Sequence, residues 1–304
     1  MFRVLTAICI ALMALPQEAG AQTRERIGYG RLITNDYIGD GRDRWRSGAV
    51  ASSRVWGRGW SGALPYDFGD ILELRLGAQI IAPENLVNPA PGDRPYAGAL
   101  SLGLHTHFER AGLELTLGSD LVMTGPQTRL DDLQASFHDL VGVNKASSLT
   151  RNGQVGNDIH PTLVGEAGRE VALGANARMR PFIEARAGAE TLLRAGVDVT
   201  FGALGQGELL VRDPVTGQRY RSVKGDAAGY AFVMGADIAA VSDSVFLPAS
   251  SGVQARDRRT RLRAGMHWQG DRAAVFYGLT WLGKEFEGQD EGQVLGSIRL
   301  DLNF

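Results

Sequence analysis

The run Ile71-Leu72-Glu73-Leu74-Arg75-Leu76-Gly77-Ala78-Gln79-Ile80-Ile81 alternates strictly. Successive side chains of a strand point to opposite sides, so Leu72, Leu74, Leu76, Ala78 and Ile80 share one face while Glu73, Arg75 and Gln79 share the other. The same rhythm appears further along the chain. Leu100, Leu102 and Leu104 oppose Ser101, Gly103 and His105; Leu113, Leu115, Leu117, Leu121 and Met123 oppose Glu114, Thr116 and Asp120; Leu262, Ala264, Met266 and Trp268 oppose Arg261, Arg263 and His267. A soluble sandwich could alternate in the same way, so the period by itself gives strands and not their surroundings.

Three features favour a membrane barrel over a sandwich. The alternating segments run to about ten residues, as a tilted span of the outer membrane requires. Tyr230, Tyr277, Trp268 and Trp281 fall on or near the ends of apolar faces, where interfacial aromatic girdles sit. The sequence ends in Ile298, Leu300, Leu302 and Phe304 alternating with Arg299, Asp301 and Asn303. Such a terminal amphipathic strand with a final aromatic resembles the insertion signal of outer-membrane proteins, which makes the barrel assembly machinery an expected partner. The fold class read here is all-β, a transmembrane antiparallel barrel of about twelve strands with a short loop helix. Its strands are expected near 26–34, 48–57, 71–82, 97–108, 112–123, 162–173, 181–190, 194–203, 227–238, 259–269, 271–282 and 294–304. An even number suits antiparallel closure, which removes the unpaired edges that lipid cannot satisfy.

Composition agrees with one large β domain. Lys and Arg number 32 against 34 Asp and Glu, a balance that suggests neither a nucleic-acid binder nor an acidic disordered tail. The 40 glycines show no collagen-like period and suit many turns and close-packed strands. Residues 1–21 read as a secretory signal peptide: Arg3 opens it, Val4 to Leu15 is almost wholly apolar, and Ala19-Gly20-Ala21 fits a small-residue cleavage site. The expected barrel domain is then 22–304, in the outer membrane of a Gram-negative bacterium. The one cysteine, Cys9, falls in the leader, leaving no thiol chemistry for the barrel. Beyond the leader no apolar run reaches the roughly 20 residues of a membrane-spanning helix.

The longest interruption, Thr124 to Pro161, exceeds a simple hairpin. Within it Leu130, Leu133, Phe137, Leu140 and Val141 recur at helical spacing, and Asp131 and Asp132 favour a helix start. The segment is too short to span a membrane and is expected to pack on the barrel. The connections at 83–96 and 239–258 are expected on the same rim.

Asn35-Asp36 follows the first strand, and an acid-rich stretch from Gly39 through Asp40, Asp43 and Ser47 to Gly48 precedes the second. Oxygen-bearing side chains beside glycine are what a hard cation needs, although an ordinary polar hairpin loop has the same composition. These pieces, with Gly92-Asp93-Arg94-Pro95-Tyr96-Ala97-Gly98, Gly118-Ser119-Asp120 through Gly125-Pro126, His138 on the loop helix and Glu285-Phe286 before the final strand, resemble the lipid A 3′-O-deacylase family along the whole chain after the leader. The resemblance implies a calcium-dependent esterase that removes the 3′-acyloxyacyl group of lipid A, with its site at the outer rim between wall and loop helix. Carried across residue by residue, it sets Asn35 and Asp36 beside the calcium. Ser47, where the family usually has threonine, offers a hydroxyl and a carbonyl. His138 becomes the general base that activates a water.

Two positions depart from the family. Its acidic residue about six positions after the histidine is here Asn144, which could orient a water or hydrogen-bond the histidine; a shifted register would recruit Glu166 or Asp158 instead. The loop after the third strand lacks the lysine that the family tends to have there; Asn85 or Asn88 lies nearby, and Arg94 is the nearest cation that could meet a lipid phosphate. His105 and His107 form at most an incomplete zinc pair, and Arg54, Arg58, Arg261 and Arg263 are expected to line the lumen. Lipopolysaccharide and outer-membrane lipids are the expected partners. The alternatives to the hydrolase are a catalytically weakened lipopolysaccharide-binding barrel, an outer-membrane phospholipase and a small channel.

Overall fold

The computed structural model describes residues 23–225 and 227–302. The expected leader at 1–21 and the terminal Phe304 lie outside the described residues. In chain order the strands are β1 (Glu25–Asn35), β2 (Trp45–Gly57), β3 (Leu72–Ala82), β4 (Ala97–Arg110), β5 (Leu113–Thr124), β6 (Asp158–Gly168), β7 (Val171–Ala172), β8 (Ala177–Ala187), β9 (Glu190–Gly202), β10 (Leu209–Arg212), β11 (Arg219–Val223), β12 (Gly229–Ser244), β13 (Arg258–Gln269), β14 (Ala273–Leu282) and β15 (Gln293–Leu302). Twelve of them form a closed antiparallel wall in sequence order. β6 pairs with β8 across the two-residue β7, β9 pairs with β12, and β15 returns to β1.

All twelve expected strands are present. The stretch around 158–202 begins about four residues earlier than its alternation suggested, because Pro161 reads as a breaker and yet stands inside β6. β8 joins β6 only from Leu163 onward, so Pro161 lies where that strand has one neighbour and a missing donor is tolerated.

Burial fixes the two faces. Leu102, Leu104, Leu121, Leu163, Ile183, Phe232, Leu262 and Leu300 are exposed on the outside, whereas Glu73, Arg75, His105, His107, Asp120, Glu184, Asp237, Arg261 and Arg263 are buried in the lumen. The girdle is only partly as expected. Tyr230 and Trp268 pair side by side at one end of the wall and Trp281 sits near the other, but Tyr277 is mid-strand, where its hydroxyl donates to the Ile38 carbonyl at 2.9 Å.

A feature absent from the sequence reading occupies part of the lumen. Between β9 and β12 the chain turns inward as the hairpin of β10 and β11 and packs behind β1. The fit demands glycine: a Cβ on Gly28 would lie 2.1 Å from the Ser222 carbonyl oxygen, and one on Gly30 would lie 2.6 Å from that of Arg221. Leu209, Val211, Tyr220 and Val223 meet Leu32, Ala51, Val55 and Phe276 of the wall in one apolar cluster. Above it, charges interlock. Arg212 bonds Glu166 and Asp198, Arg263 bonds Asp198 and Asp237, and Arg261 bonds Asp237 and the carbonyls of Pro214 and Val215 at the hairpin tip. Glu73 accepts from Ser53 at 2.5 Å, from Arg75 at 2.7 and 2.9 Å and from His107 at 2.8 Å, while Ser53 also meets the Tyr220 hydroxyl at 2.7 Å. His105 pairs with Asp120 at 2.8 Å. The two histidines are thus committed to separate carboxylates, and no group of three or more His, Cys, Asp or Glu able to hold a metal occurs among the described residues.

β1 starts and β15 ends at the same end of the wall, together with the hairpin entry. The opposite end carries the loops 36–44, 83–96, 125–157, 245–257 and 283–292. Longer loops mark the extracellular side of such barrels, so this end is the outer rim and the start of β1 and the end of β15 lie on the periplasmic side.

Because Glu73 links hairpin, β2, β3 and β4, Glu73→Ala should leave Arg75 buried without its partner, a loss of about 3–5 kcal/mol. The temperature at which the folded band converts to the unfolded band on a detergent gel should fall by several degrees; an unchanged temperature would mean that the lumen network does not support the fold.

Candidate functional site

The β1–β2 connection is organised by one carboxylate. Asp36 is buried; its Oδ2 accepts the Arg44 N–H at 2.9 Å and its main-chain carbonyl accepts the N–H groups of Gly39 at 2.8 Å and Gly41 at 3.1 Å. Burial, reinforced by the nearby charges of Asp43 and Asp40, pushes its carboxyl from the ordinary value of 3.8 up to about 8. Asn35 secures the base of the loop: its Nδ2 donates to the Ser47 carbonyl at 2.8 Å and its Oδ1 accepts the Tyr37 N–H at 2.9 Å.

A bulge then sorts β2. The register slips between Arg46 and Gly48, and Trp45 adopts φ 51°. Arg46 consequently enters the lumen, where it bonds Glu285, and Ser47 is turned outward. The Ser47 hydroxyl donates to Asp43 Oδ1 at 2.5 Å and accepts from Gln134 Nε2 at 3.2 Å.

Gln134 and His138 belong to α1 (Leu130–Val141). This helix lies against the outer side of the wall. Ala97 and Ala99 face the lumen cluster, so Gly98 between them faces out, and a Cβ there would sit 2.6 Å from Thr128 Oγ1 and 3.1 Å from Leu130 Cβ. Only glycine lets the helix start come so close. The helix buries Leu130, Asp131, Gln134 and His138 and leaves Leu133, Phe137, Leu140 and Val141 exposed. The helix packs on the barrel as expected, and it does so with its polar side. At a membrane rim the surrounding solvent is itself apolar, so the stripe turns toward lipid and the polar side turns toward the protein.

Gly142, with φ 75°, ends α1 and donates to the His138 carbonyl at 2.8 Å. The returning chain brings the Asn144 carbonyl to 2.7 Å from His138 Nδ1, so that nitrogen carries a proton and donates it. The other ring nitrogen, Nε2, stands 3.2 Å from Asp43 Oδ2. One carboxylate thus touches both the serine hydroxyl and the imidazole. A short helix, α2 (Ser148–Asn152), continues the loop, and Arg151 ties it to Asp131 at 2.7 Å. Asp43 and Asn144 open onto a cleft shared with Glu84, Asn85, Leu86 and Asp93 of the third-strand loop.

The structure brings Asn35, Asp36, Ser47 and His138 to one corner of the rim. Asn144 joins them through its main chain, with its side chain exposed. Arg94 does not join them. It is 1 % exposed, and its Nη1 donates to Glu285 Oε2 at 2.5 Å above the lumen, so the expectation that it meets a lipid phosphate is corrected: its charge is already committed inside. Glu166 is likewise in the lumen between Arg180 and Arg212, and Asp158 caps the Ile159 N–H. Sequence reasoning missed Asp43 as the partner of His138, and it missed Gln134. Gln134 had a signal, since it stands one turn before His138 on the same side of the helix; Asp43 had none, because its reach to the helix depends on the fold of the loop.

The donors near Asp36 are all oxygens: its own carboxylate, the Asp43 carboxylate, the Asn35 amide, and the Ser47 hydroxyl and carbonyl. Such a set suits a hard cation completed by water and not zinc, which prefers nitrogen and sulfur.

The family model for "Outer membrane protein LpxR" matches residues 5–304. The chain belongs to the LpxR lipid A deacylase family. The LpxR structure from Salmonella typhimurium superposes with a TM-score of 0.74 at 17 % identity, covering 91 % of this chain and 100 % of that one, which shows the shared barrel. The β domain of the Bordetella autotransporter BrkA gives 0.44 at 13 % identity over 92 % and 99 % of the chains, and the KdgM porin 0.40 at 6 % over 91 % and 98 %; overlaps of that size carry no argument about function. No curated sequence matches the chain significantly. As an LpxR-family protein it resides in the outer membrane.

The raised carboxyl of Asp36 has a testable sign. Its protonated form favours the folded rim, so the stability it lends is present below the ordinary value of 3.8 and is lost as pH rises through about 8. In the presence of chelator, the gel-shift temperature of the parent should fall across that window, and in Asp36→Asn it should stay flat. An equally steep fall in the variant would assign the titration to another group.

Proposed function

We propose that this chain is a lipid A 3′-O-deacylase, a carboxylic ester hydrolase that uses water as nucleophile. One observation carries the reading: His138, Asp43 and Ser47 meet on the lipid side of the wall, beneath a helix whose apolar stripe is exposed. A soluble ester would need none of this, whereas a lipid moving in the outer leaflet meets the site from the side.

The chain's own groups divide the work. The Asn144 carbonyl holds the His138 Nδ1–H, so Nε2 is the nitrogen left to accept a proton from water. Asp43 Oδ2, 3.2 Å from Nε2, is placed to accept the hydrogen bond of the Nε2–H once that proton has arrived. Ser47 and Gln134 fix Asp43 and the helix against β2. A calcium ion held by Asp36 with Asn35 and Ser47 would polarise the ester carbonyl when bound. Asn144 then works through its main chain, which removes the need for an acidic side chain to orient the histidine. The expected leader and terminal strand would bring the protein to the barrel assembly machinery, and lipopolysaccharide is the substrate.

Mass spectrometry of lipid A from cells with and without the protein tests the reading; the parent should remove the 3′-acyloxyacyl group. His138→Ala should lower the rate by about 10²–10⁴-fold with the barrel intact. Asn144→Ala should keep near-parental activity because the carbonyl remains, and chelator or Asp36→Ala should abolish it. Intact lipid A beside a folded parent would leave a lipopolysaccharide-binding barrel. Fatty acid released from glycerophospholipid instead would make it a phospholipase. The channel reading is disfavoured by the β10–β11 hairpin lodged in the lumen.

A further inference from the structure

Along the strand interiors the outer face of the wall is uncharged with one exception. Leaving aside the first and last two residues of each wall strand, the only charged side chains turned outward among the described residues are Arg31 and Arg54. They stand on adjacent strands. Arg31 is registered with Ser52, and Tyr29 with Arg54, so all four side chains share one face. The sequence reading had assigned Arg54 to the lumen; its neighbours Ser53 and Val55 take the lumen side instead, both fully buried. Arg54 lies over the Tyr29 ring at 5.2 Å, and neither arginine makes an ion pair among the described residues.

A charge facing hydrocarbon is costly unless it reaches a polar group. Arg31 and Arg54 lie on the periplasmic side of the rim site. Arg31 is four residues below Asn35, about 13 Å along the strand, and Arg54 is three residues above the periplasmic end of β2. Long arginine side chains extend toward a polar interface; Arg54 stands nearer the periplasmic one, where Arg26 and Trp56 lie opposite each other, and Arg31 stands at mid-strand beside it. The neighbouring join is also thin. β1 and β15 are registered at three positions only, Ile33 with Ile298, Thr34 with Ser297 and Asn35 with Gly296, whereas the next shortest wall pair has six. Below Ile33 the wall beside Arg31 therefore has no registered strand on its β15 side.

We propose that Arg31 and Arg54, with Tyr29 and Ser52 between them, form a docking site for the phosphate of an anionic glycerophospholipid from the periplasmic leaflet, drawn up along β1–β2 beside the thin join. Two guanidinium groups on one face match a phosphate bearing net charge, and the aromatic ring and hydroxyl match its glycerol backbone. The occupant is a lipid of the inner face of the membrane, distinct from the outer-leaflet substrate of the rim site.

The experiment uses the full-length barrel purified in mild detergent, with phosphatidylglycerol and phosphatidylcholine supplied in equal amounts and retained lipid read by native mass spectrometry. The parent should retain phosphatidylglycerol at about fivefold or more above the Arg31→Gln/Arg54→Gln variant, with phosphatidylcholine low in both. The Arg31→Lys/Arg54→Lys variant should recover part of the retention. Equal phosphatidylglycerol retention by parent and glutamine variant, both still heat-modifiable, overturns the proposal. So does a glutamine variant that keeps phosphatidylglycerol and loses added lipopolysaccharide, which would assign the patch to the outer leaflet. Should the double variant fail to assemble, Arg54→Gln alone serves, with loss expected and full retention overturning.

Discussion

The structure depends on the pairing of buried guanidinium and carboxylate groups inside a closed wall. A barrel in lipid must turn its apolar side chains outward, which sends the polar half of every strand inward. There the charges have no bulk water to solvate them, and they must neutralise one another. Glu73, Asp198 and Asp237 each serve more than one donor, so the lumen behaves as a lattice and not as isolated pairs. The hairpin of β10 and β11 extends that lattice by bringing Arg212 to Glu166 and Asp198 and the Tyr220 hydroxyl to Ser53.

A lumen plugged by the hairpin and laced with charge pairs leaves the outside of the wall as the place for chemistry. The rim site is assembled from a β1–β2 loop knotted around Asp36 and a helix clamped at Gly98. Both are local solutions to one requirement, holding polar groups at the lipid boundary without burying them unpaired. His138 meets that requirement with Nδ1 held by a main-chain carbonyl and Nε2 set 3.2 Å from a carboxylate.

How much of this was legible in the sequence follows from periodicity. Alternation has a period of two and survives any loop insertion, so all twelve wall strands and the loop helix could be read directly. The hairpin could not. Leu209–Arg212 and Arg219–Val223 are too short to show a period, and their burial depends on the wall around them. Facing was readable where polar and apolar residues alternate and failed where they do not: Val50-Ala51-Ser52-Ser53-Arg54-Val55 has no clean alternation, so Arg54 was misplaced. At the site, the residue types at Asn35, Asp36, Ser47 and His138 stood out by family likeness. The Asp43 contact and the main-chain role of Asn144 are products of loop geometry that no spacing announces. Arg94 shows the converse, a cation in a surface-like loop whose side chain turns inward to Glu285.

The three-position join of β1 to β15 also bears on how the molecule comes together. Thr34 and Ser297 meet across the join at a sequence separation of 263, while neighbouring wall strands are mostly joined by hairpins. Closing so long a span carries the largest chain-entropy cost in the fold and returns few hydrogen bonds for it. On that balance the join gains least by closing before the sheet from β1 through β15 is in place, and among the wall pairs it has the fewest registered positions to lose when the cylinder opens.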